Sequence, residues 1–337
     1  MGRYRVTIKD VAKIAGVSVQ TVSRVINEKT DVAEDTRKRV HEVIARLGYR
    51  PNPIARSMKG KTMTLGCILP PLPEHEFSKI IPAIEAEAYE NGYFLFTGAA
   101  ETADRAKIII EEMTDRRVDG LLMIKPNDDG RSRYLVPLIE QGIPIVYLGS
   151  TPVEEEVPAV LINDELGGYL AAQYLVDLCH ENIVLIEGPP HEESLRKKLA
   201  GYSKALKEKG VEPDPGLILR GEWTAESGYH KMSRLLTESK NFSAVFAQSD
   251  QMALGAIFAL KEAGLSVPKD ISIVGYGNTP MCKYLDPPLT TIDTPIEQLG
   301  RTGVRLLLEQ INTKRSPNQI IKLDPVLIER KSCKMRR

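Results

Sequence analysis

Between positions 7 and 16 the chain reads TIKDVAKIAG, with apolar side chains at Ile8, Val11, Ala12 and Ala15. That spacing predicts one buried helix face, opened by Thr7 as N-cap and closed by Gly16. Ser18 can cap a second helix, because Val17 and Val22 stand at the two ends of a hydrophobic staple and Val22, Val25 and Ile26 continue a buried stripe. Its opposite face carries Val19, Gln20, Ser23, Arg24 and Asn27. A third helix, with Thr36, Val40, Val43, Ile44 and Leu47 inward and Gly48 at its end, covers the first two. Asn52 before Pro53 is a cap and first-turn pair for a short fourth helix, IARSMK, ending at Gly60 and too short to be stable alone. Two short helices joined by a glycine turn, the second exposing amide, hydroxyl and guanidinium groups, fit a helix-turn-helix, whose second helix enters the major groove of DNA. There glutamine can read adenine and arginine can read guanine.

From residue 63 onward the pattern changes. Short apolar runs (TLGCILP, YFLFTGA, GLLMIK, PIVYLG, NIVLIEG, AVFAQS, ISIVGY) alternate with helical stretches. Such β-then-α alternation predicts parallel strands with crossover helices. In open α/β sheets ligands bind beyond the carboxyl ends of the strands. The segments following the strands, 70–77, 99–101, 125–127, 149–150, 188–196, 249–250 and 275–278, therefore form the candidate pocket.

Length and composition narrow the classes. With 337 residues, 42% apolar and 27% charged, the chain has room for two or three domains with large cores and is neither disordered nor fibrous. No run approaches the roughly 18 apolar residues of a membrane span, and no signal-peptide core follows the basic start, so the expected compartment is the cytoplasm with no membrane partner. Cys67, Cys179, Cys282 and Cys333 lie far apart and read as isolated reduced thiols. Charge becomes informative once the chain is cut: residues 1–62 hold 14 Lys and Arg against 6 Asp and Glu, and the rest 31 against 39. A basic segment on an acidic body fits a polyanion-binding module joined to something that does not bind polyanions. The run Arg37, Lys38, Arg39 faces either phosphate or water.

G-x-S-x-G, H-E-x-x-H, a P-loop and a G-x-G-x-x-G after a strand are all absent, and His41, His75, His180, His191 and His230 occupy unrelated contexts. His75 between two glutamates, and His191 before two more, read as exposed polar loops rather than metal sites. The expectation is a non-enzyme without cofactor or metal.

The segments TIKDVAKIAGVSVQTVSRVINEK and TRKRVHEVIARLGYRPNPIARSM resemble, position by position, the DNA-binding region of the LacI/GalR-type bacterial transcription regulators. The resemblance implies that Val19, Gln20 and Arg24 read operator bases, that Thr7, Ser18, Thr21 and Ser23 hold phosphates, and that Asn27 belongs to the same face. It also implies that residues 53–59 form a hinge helix pairing with that of a dimer mate in the minor groove, with Asn52, Ile54 and Ala55 at the DNA and Met58 as the intercalating wedge. Met58 stands where leucine is usual, and Ala33 replaces the usual serine cap of the third helix, a loss of about 1 kcal/mol.

The body is similar to the effector-binding domain of the same regulators and to periplasmic sugar-binding proteins, through DGLLMI, HENIVLIEGPP, LRKKLAGYSKAL, GEWTAESGY, SDQMALGAI, DISIVGYGN and DPPLTTIDTPIEQLG. The implied architecture is α/β: an all-α helix-turn-helix domain at 1–50, a hinge helix and linker at 51–62, and at 63–337 two Rossmann-like parallel-sheet lobes of the periplasmic binding protein type. One lobe comprises about 63–161 plus 293–324, the other about 162–292 plus 325–332. Carried over, Phe77 is an aromatic after the first strand, Arg196 grips the effector's polar groups, Trp223 stacks on it, and Ser249 and Asp250 line the cleft. Trp223 as lobe core, and Arg196 in an interlobe salt bridge, are the plainer readings of those two. Gly275, Tyr276, Gly277, Asn278 stand where the family has G-F-D-D or similar, so a pocket carboxylate is missing at Gly277, and Ser249 replaces a common Asn.

The expected function is therefore a homodimeric repressor whose affinity for a pseudo-palindromic double-stranded operator is controlled by a small molecule, with a carbohydrate leading. The alternatives are a cytoplasmic solute-binding protein or enzyme on the same body, or a regulator controlled by a protein corepressor. The last residues, 330–337, are expected to form a solvated tail with no tetramerising heptad.

Overall fold

The computed structural model describes residues 6–26, 31–49, 61–70, 74–125, 131–152, 157–189, 193–238, 241–313 and 319–336. The chain divides into two compact units, Met1–Thr62 and Met63–Arg337.

In the first unit, α1 (Ile8–Ala15), α2 (Val19–Ile26) and α3 (Glu34–Leu47) enclose a small core of Val11, Ala12, Ala15, Val22, Val25, Val40, Val43 and Tyr49. The caps are local chemistry. Asp10 accepts from the Thr7 main-chain N–H at 2.8 Å and from its hydroxyl at 2.7 Å. Ser18 Oγ accepts from Thr21 N at 3.0 Å, satisfying one of the orphan donors of α2. Gly16 ends α1 in the left-handed region at φ 65°. Ala33 precedes α3 without a side-chain cap bond. The hinge segment lies outside the described residues.

The second unit contains, among the described residues, two six-stranded sheets. The first lobe is built from β1 (Thr64–Leu69), α4 (Glu74–Glu90), β2 (Phe94–Ala99), α5 (Ala103–Asp115), β3 (Gly120–Ile124), α6 (Val136–Glu140), β4 (Ile145–Leu148) and β5 (Ala159–Ile162). The chain then forms the second lobe: α7 (Asp164–Asp177), β6 (Ile183–Glu187), α8 (Glu193–Glu208), β7 (Ile218–Arg220), α9 (Ala225–Thr237), β8 (Ala244–Ala247), α10 (Asp250–Glu262), β9 (Ser272–Tyr276) and β10 (Thr290–Asp293). It returns as α11 (Ile296–Thr313) and β11 (Ile320–Leu323) and crosses last to β12 (Val326–Ile328). The strand orders are β11-β5-β4-β3-β1-β2 and β12-β10-β9-β8-β6-β7, parallel throughout except β10 with β12. Parallel strands covered on both faces read as near-continuous apolar runs, and β3, β4, β6, β8 and β9 are buried along their whole length, with Ser272 and Glu187 as polar residues at strand ends.

The C-terminus departs from its sequence reading. Far from being a solvated tail, residues 331–336 are fastened to the second lobe. Buried Ser332 accepts from Thr290 N at 2.8 Å and donates to the Ile273 carbonyl at 2.6 Å, and Arg336 N donates to the Leu178 carbonyl at 2.8 Å. His180, also buried, stands 2.8 Å from Ser243 Oγ, 3.0 Å from Ser272 Oγ and 3.1 Å from the Lys334 carbonyl. Sheet-end polar groups need partners once buried, and the tail supplies them. A basic composition alone could not reveal that.

Candidate functional site

On α2 the apolar stripe is turned inward, with Val22 and Val25 fully buried, which leaves Val19, Gln20 and Arg24 exposed on the other side. Thr7 and Ser18 are exposed at the starts of α1 and α2, and Thr21 and Ser23 are half-buried. Hydroxyls and main-chain N–H groups at helix N-termini are suited to phosphate. Arg24 is held at 3.1 Å by Asp31 across the turn into α3, with both side chains about half exposed. Asn27, Asn52, Ile54, Ala55 and Met58 lie outside the described residues.

The second candidate site lies at the carboxyl ends of the second lobe's strands. Gly168 in α7 and Gly201 in α8 let these helices touch backbone to backbone: a Cβ on Gly168 would strike the main chain of Lys198, and one on Gly201 that of Glu165. This close approach places the ammonium of Lys198, on α8, 3.8 Å from Asp164 at the start of α7. The same ammonium lies 4.3 Å from the ring centre of Tyr276 and 5.1 Å from that of Trp223, a cation held against two aromatic faces. Tyr276 Oη donates to Asp164 Oδ1 at 2.7 Å. Burial pushes the Asp164 carboxyl above its ordinary range, with Lys198, the Tyr276 hydroxyl and Lys125 pulling the other way. Burial, and then the Asp164 charge, drive the Tyr276 phenol well above its usual value. From the first lobe, Lys125 pairs with Glu76 at 3.3 Å.

The residues expected at the effector are differently disposed. Trp223 is half-buried and packs over Gly188, where any side chain would collide with the indole. Arg196 is exposed: it sits two positions before Lys198, about 200° away around the helix. Ser249 Oγ caps α10 by accepting from Met252 N at 3.1 Å. The Asp250 carboxylate is buried and accepts from Thr279 N at 2.7 Å and from the Thr291 hydroxyl at 2.5 Å. Asn278 Oδ1 accepts from Arg330 at 2.7 Å. Ser249 Oγ as acceptor, the Asp250 carboxylate and Asn278 Oδ1 are thus engaged within the protein. Phe77 belongs to α4, and its side chain is not among those described.

Glu76, Lys125 and Tyr276 fall in the strand-following segments expected to form the pocket, whereas Lys198 and Asp164 were not singled out from sequence. For Lys198 a signal existed: Leu195, Lys198 and Tyr202 recur at helical spacing, and all three are buried. Nothing comparable marked Asp164, which reads from sequence as an ordinary first-turn acid.

A third surface is apolar. The open edge of the first sheet is β2, where Phe94 and Phe96 stand 69% and 38% exposed, and Tyr89 on α4 and Ile108 on α5 are exposed as well. Exposed aromatics on a strand with one open edge call for a cover.

Among the described residues no helix is long and apolar enough to cross a membrane, and no group of three or more His, Cys, Asp or Glu side chains could hold a metal ion. Cys67 and Cys282 are buried, Cys333 is half-buried and Cys179 is exposed, all as free thiols.

Comparison with known proteins agrees with this architecture. The profile of bacterial regulatory proteins of the lacI family matches residues 7–52, and that of the periplasmic binding protein-like domain matches 172–333. The HTH-type transcriptional repressor PurR of Salmonella paratyphi B is 38% identical over 334 residues, covering 97% of this chain and 96% of that protein. A lac repressor dimer bound to operator and an anti-inducer superposes with a TM-score of 0.85 at 33% identity, over 98% of this chain and all of that one. A LacI-family regulator from Enterococcus faecium with bound ribose superposes at 0.73 with 30% identity, over 81% of this chain and all of that one. With identity above 30% over nearly its whole length and both domains in place, the chain belongs to the LacI family of DNA-binding transcriptional regulators.

Proposed function

We propose that this chain is a dimeric transcriptional repressor, acting in the cytoplasm, whose operator affinity is set by a small molecule between its two lobes. The observation that carries the reading is the disposition of α2: Val22 and Val25 are buried while Val19, Gln20 and Arg24 are left open to a duplex. Two copies place their recognition helices in successive major-groove half-sites, so the operator is a pseudo-palindrome. The hinge, with Met58 as its wedge, then reads the centre of the site through the ease of unstacking a base step. Self-association uses the apolar face around Phe94 and Phe96.

The relatives support the ligand half of the reading, since one solved family member holds ribose. The effector is a carbohydrate, with Trp223 as its stacking surface. Ligand changes operator affinity only through its different affinities for the two lobe arrangements. The reading assigns no catalytic step, cofactor or metal.

Selection of binding sites from a randomised duplex pool, followed by footprinting at moderate salt, tests the proposal. The expected result is a two-fold symmetric motif whose binding weakens steeply as salt rises. Equal affinity for all duplexes, with or without sugars present, would overturn it.

A further inference from the structure

At the amino ends of β6, β8 and β9, opposite the cleft, the imidazole of His180 is only 3% exposed, enclosed between the strand ends and the C-terminal tail. The Lys334 carbonyl lies 3.1 Å from Nε2 and can only accept, and two lone pairs at that distance repel, so Nε2 carries the proton. Nδ1 is then bare. It accepts from the Ser243 hydroxyl at 2.8 Å, which has no other acceptor among the described residues. Ser272 Oγ, 3.0 Å from Nε2, accepts in turn from Lys334 N at 3.0 Å. The neutral ring thus joins two strand ends to the tail.

A second proton, on Nδ1, would set N–H against O–H at Ser243 and enclose a charge away from water. Burial pulls the imidazole below its ordinary value; the bond to the Lys334 carbonyl opposes this, and the Arg336 and Lys334 cations of the tail add to the lowering. Among the described residues no carboxylate pairs with the ring. Glu181 and Lys269 are exposed, Asp177 pairs with Lys209 at 3.0 Å, and Asp270 accepts from Ser266 N at 2.8 Å. The Cys333 thiol is pushed up to about 12 by burial and stays neutral.

The tail's other fastenings do not titrate in weak acid. Ser332 spans Thr290 N and the Ile273 carbonyl, Lys331 N donates to the Pro288 carbonyl at 3.0 Å, and Arg336 N donates to that of Leu178. The tail also continues directly from β12, which is three residues long and bonded on one side only, to β10. Asp324 and Pro325 alone separate β12 from β11, so this strand ties down the last crossing between the lobes. So short an edge strand holds little by itself.

We propose that His180 is a proton-operated catch for the C-terminal strap: a second proton on its ring releases residues 331–336, and with them β12 and its hold on the last lobe crossing. The neutral ring fits the strapped state, and the charged ring fits only the released one, where water reaches it. Acidity is then an input to lobe geometry separate from any ligand in the cleft. The catch stands independently of the repressor reading. Fastening is complete above the ordinary histidine value and weakens by about tenfold per pH unit from there down to the lowered one.

The test is hydrogen exchange of the full-length protein between about pH 8 and about pH 5, read as protection corrected for the intrinsic pH dependence of exchange. Protection at Lys334, Arg336 and β12 is expected to fall together, by about tenfold per pH unit, while β3 in the first lobe keeps its own. In His180→Gln, which has nothing to titrate there, protection of the tail and β12 should no longer follow pH. Lys334→Met combined with Arg336→Met leaves the tail's main-chain bonds in place but removes the repelling cations, and should hold the strap to lower pH. A histidine with a purely structural role would not respond in that way. The proposal is overturned if the wild-type tail is as protected at pH 5 as at pH 8, or if the tail loses protection without β12. It is overturned equally if His180→Gln, shown to fold by a cooperative thermal melt, loses protection in the same step as the wild type. Should that variant not fold, the paired methionine variant decides, and an unshifted loss of protection sinks the catch.

Discussion

The main-chain N–H and the hydroxyl of Thr151 both donate to the carboxylate of Glu193, at 3.0 and 2.6 Å, so the loop after β4 in one lobe is clasped to the first turn of α8 in the other. Lys197 completes the clasp, donating to Thr151 Oγ1 at 3.1 Å and pairing with Glu193. Separating the lobes at this point breaks every one of these bonds except the Lys197 ion pair, which lies within α8.

Glu193→Ala should therefore loosen the lobes, removing about 1–3 kcal/mol of local closure, the usual cost of losing hydrogen bonds to a charged group. Hydrogen exchange at the Thr151 amide reports it directly, and protection equal to the wild type would show that the clasp holds nothing. Burial alone would raise the Glu193 carboxyl, but the bonds from Lys197 and Thr151 outweigh it and hold the value below the ordinary glutamate range. The clasp is thus at full strength above the ordinary glutamate value and weakens as pH falls through the lowered one.

The base-reading role proposed for Arg24 requires it to leave Asp31, 3.1 Å away. Arg24→Ala should cost about 1–3 kcal/mol at one base pair of each half-site while the fold persists. Uniform weakening on every duplex would contradict a base-reading role. Asp31→Asn frees the arginine from an exposed pair worth about 1 kcal/mol or less and should tighten operator binding by no more than that. Weaker binding by this variant would argue against competition between Asp31 and DNA.

Glu187 is wholly buried at the end of β6, and its Oε1 has no hydrogen-bond partner among the described residues, although Arg220, itself largely exposed, reaches Oε2 at 3.4 Å. Burial raises this carboxyl, with Arg220 opposing. A raised value means that the ionised form costs stability at neutral pH, and that the loss is recovered as pH falls through the raised value toward the ordinary one. Glu187→Gln should stabilise the protein at pH 7 by about 1 kcal/mol, with the difference from wild type shrinking on acidification. Thermal melts across pH check this; a variant less stable at pH 7 would show that the charge is needed.

Phe94 and Phe96 should hold the dimer. Phe96→Glu buries a charge against a mate and is expected to drive the protein toward monomer in sedimentation experiments and to lower operator affinity with it. An unchanged dimer would move the interface elsewhere.

Much of this molecule was legible along the chain because the information is local. Thr7, Gly16, Ser18 and the Val22, Val25 stripe each specify a cap, a turn or a buried face within a few residues, and α1 to α3 formed where the pattern placed them. The alternating strands of the body were readable for the same reason, since a strand covered on both faces reads as a near-continuous apolar run. The cleft was less so. Periodicity could have put Lys198 inside and Arg196 outside, but the partner of Lys198 depends on how two helices meet through Gly168 and Gly201.

The sequence by itself determined the fold class, the DNA-reading helix and the order of strands and helices, all consequences of backbone propensity and the burial of apolar side chains close in sequence. Only the tertiary structure decided that Asp164 faces Lys198, that Thr151 clasps Glu193, and that the basic C-terminus closes the second lobe over His180. Each of these joins polar groups from segments distant along the chain, and polar groups carry no periodicity that names a partner. Their pairing is settled when burial removes water and leaves each donor to whichever acceptor the packing has brought within reach.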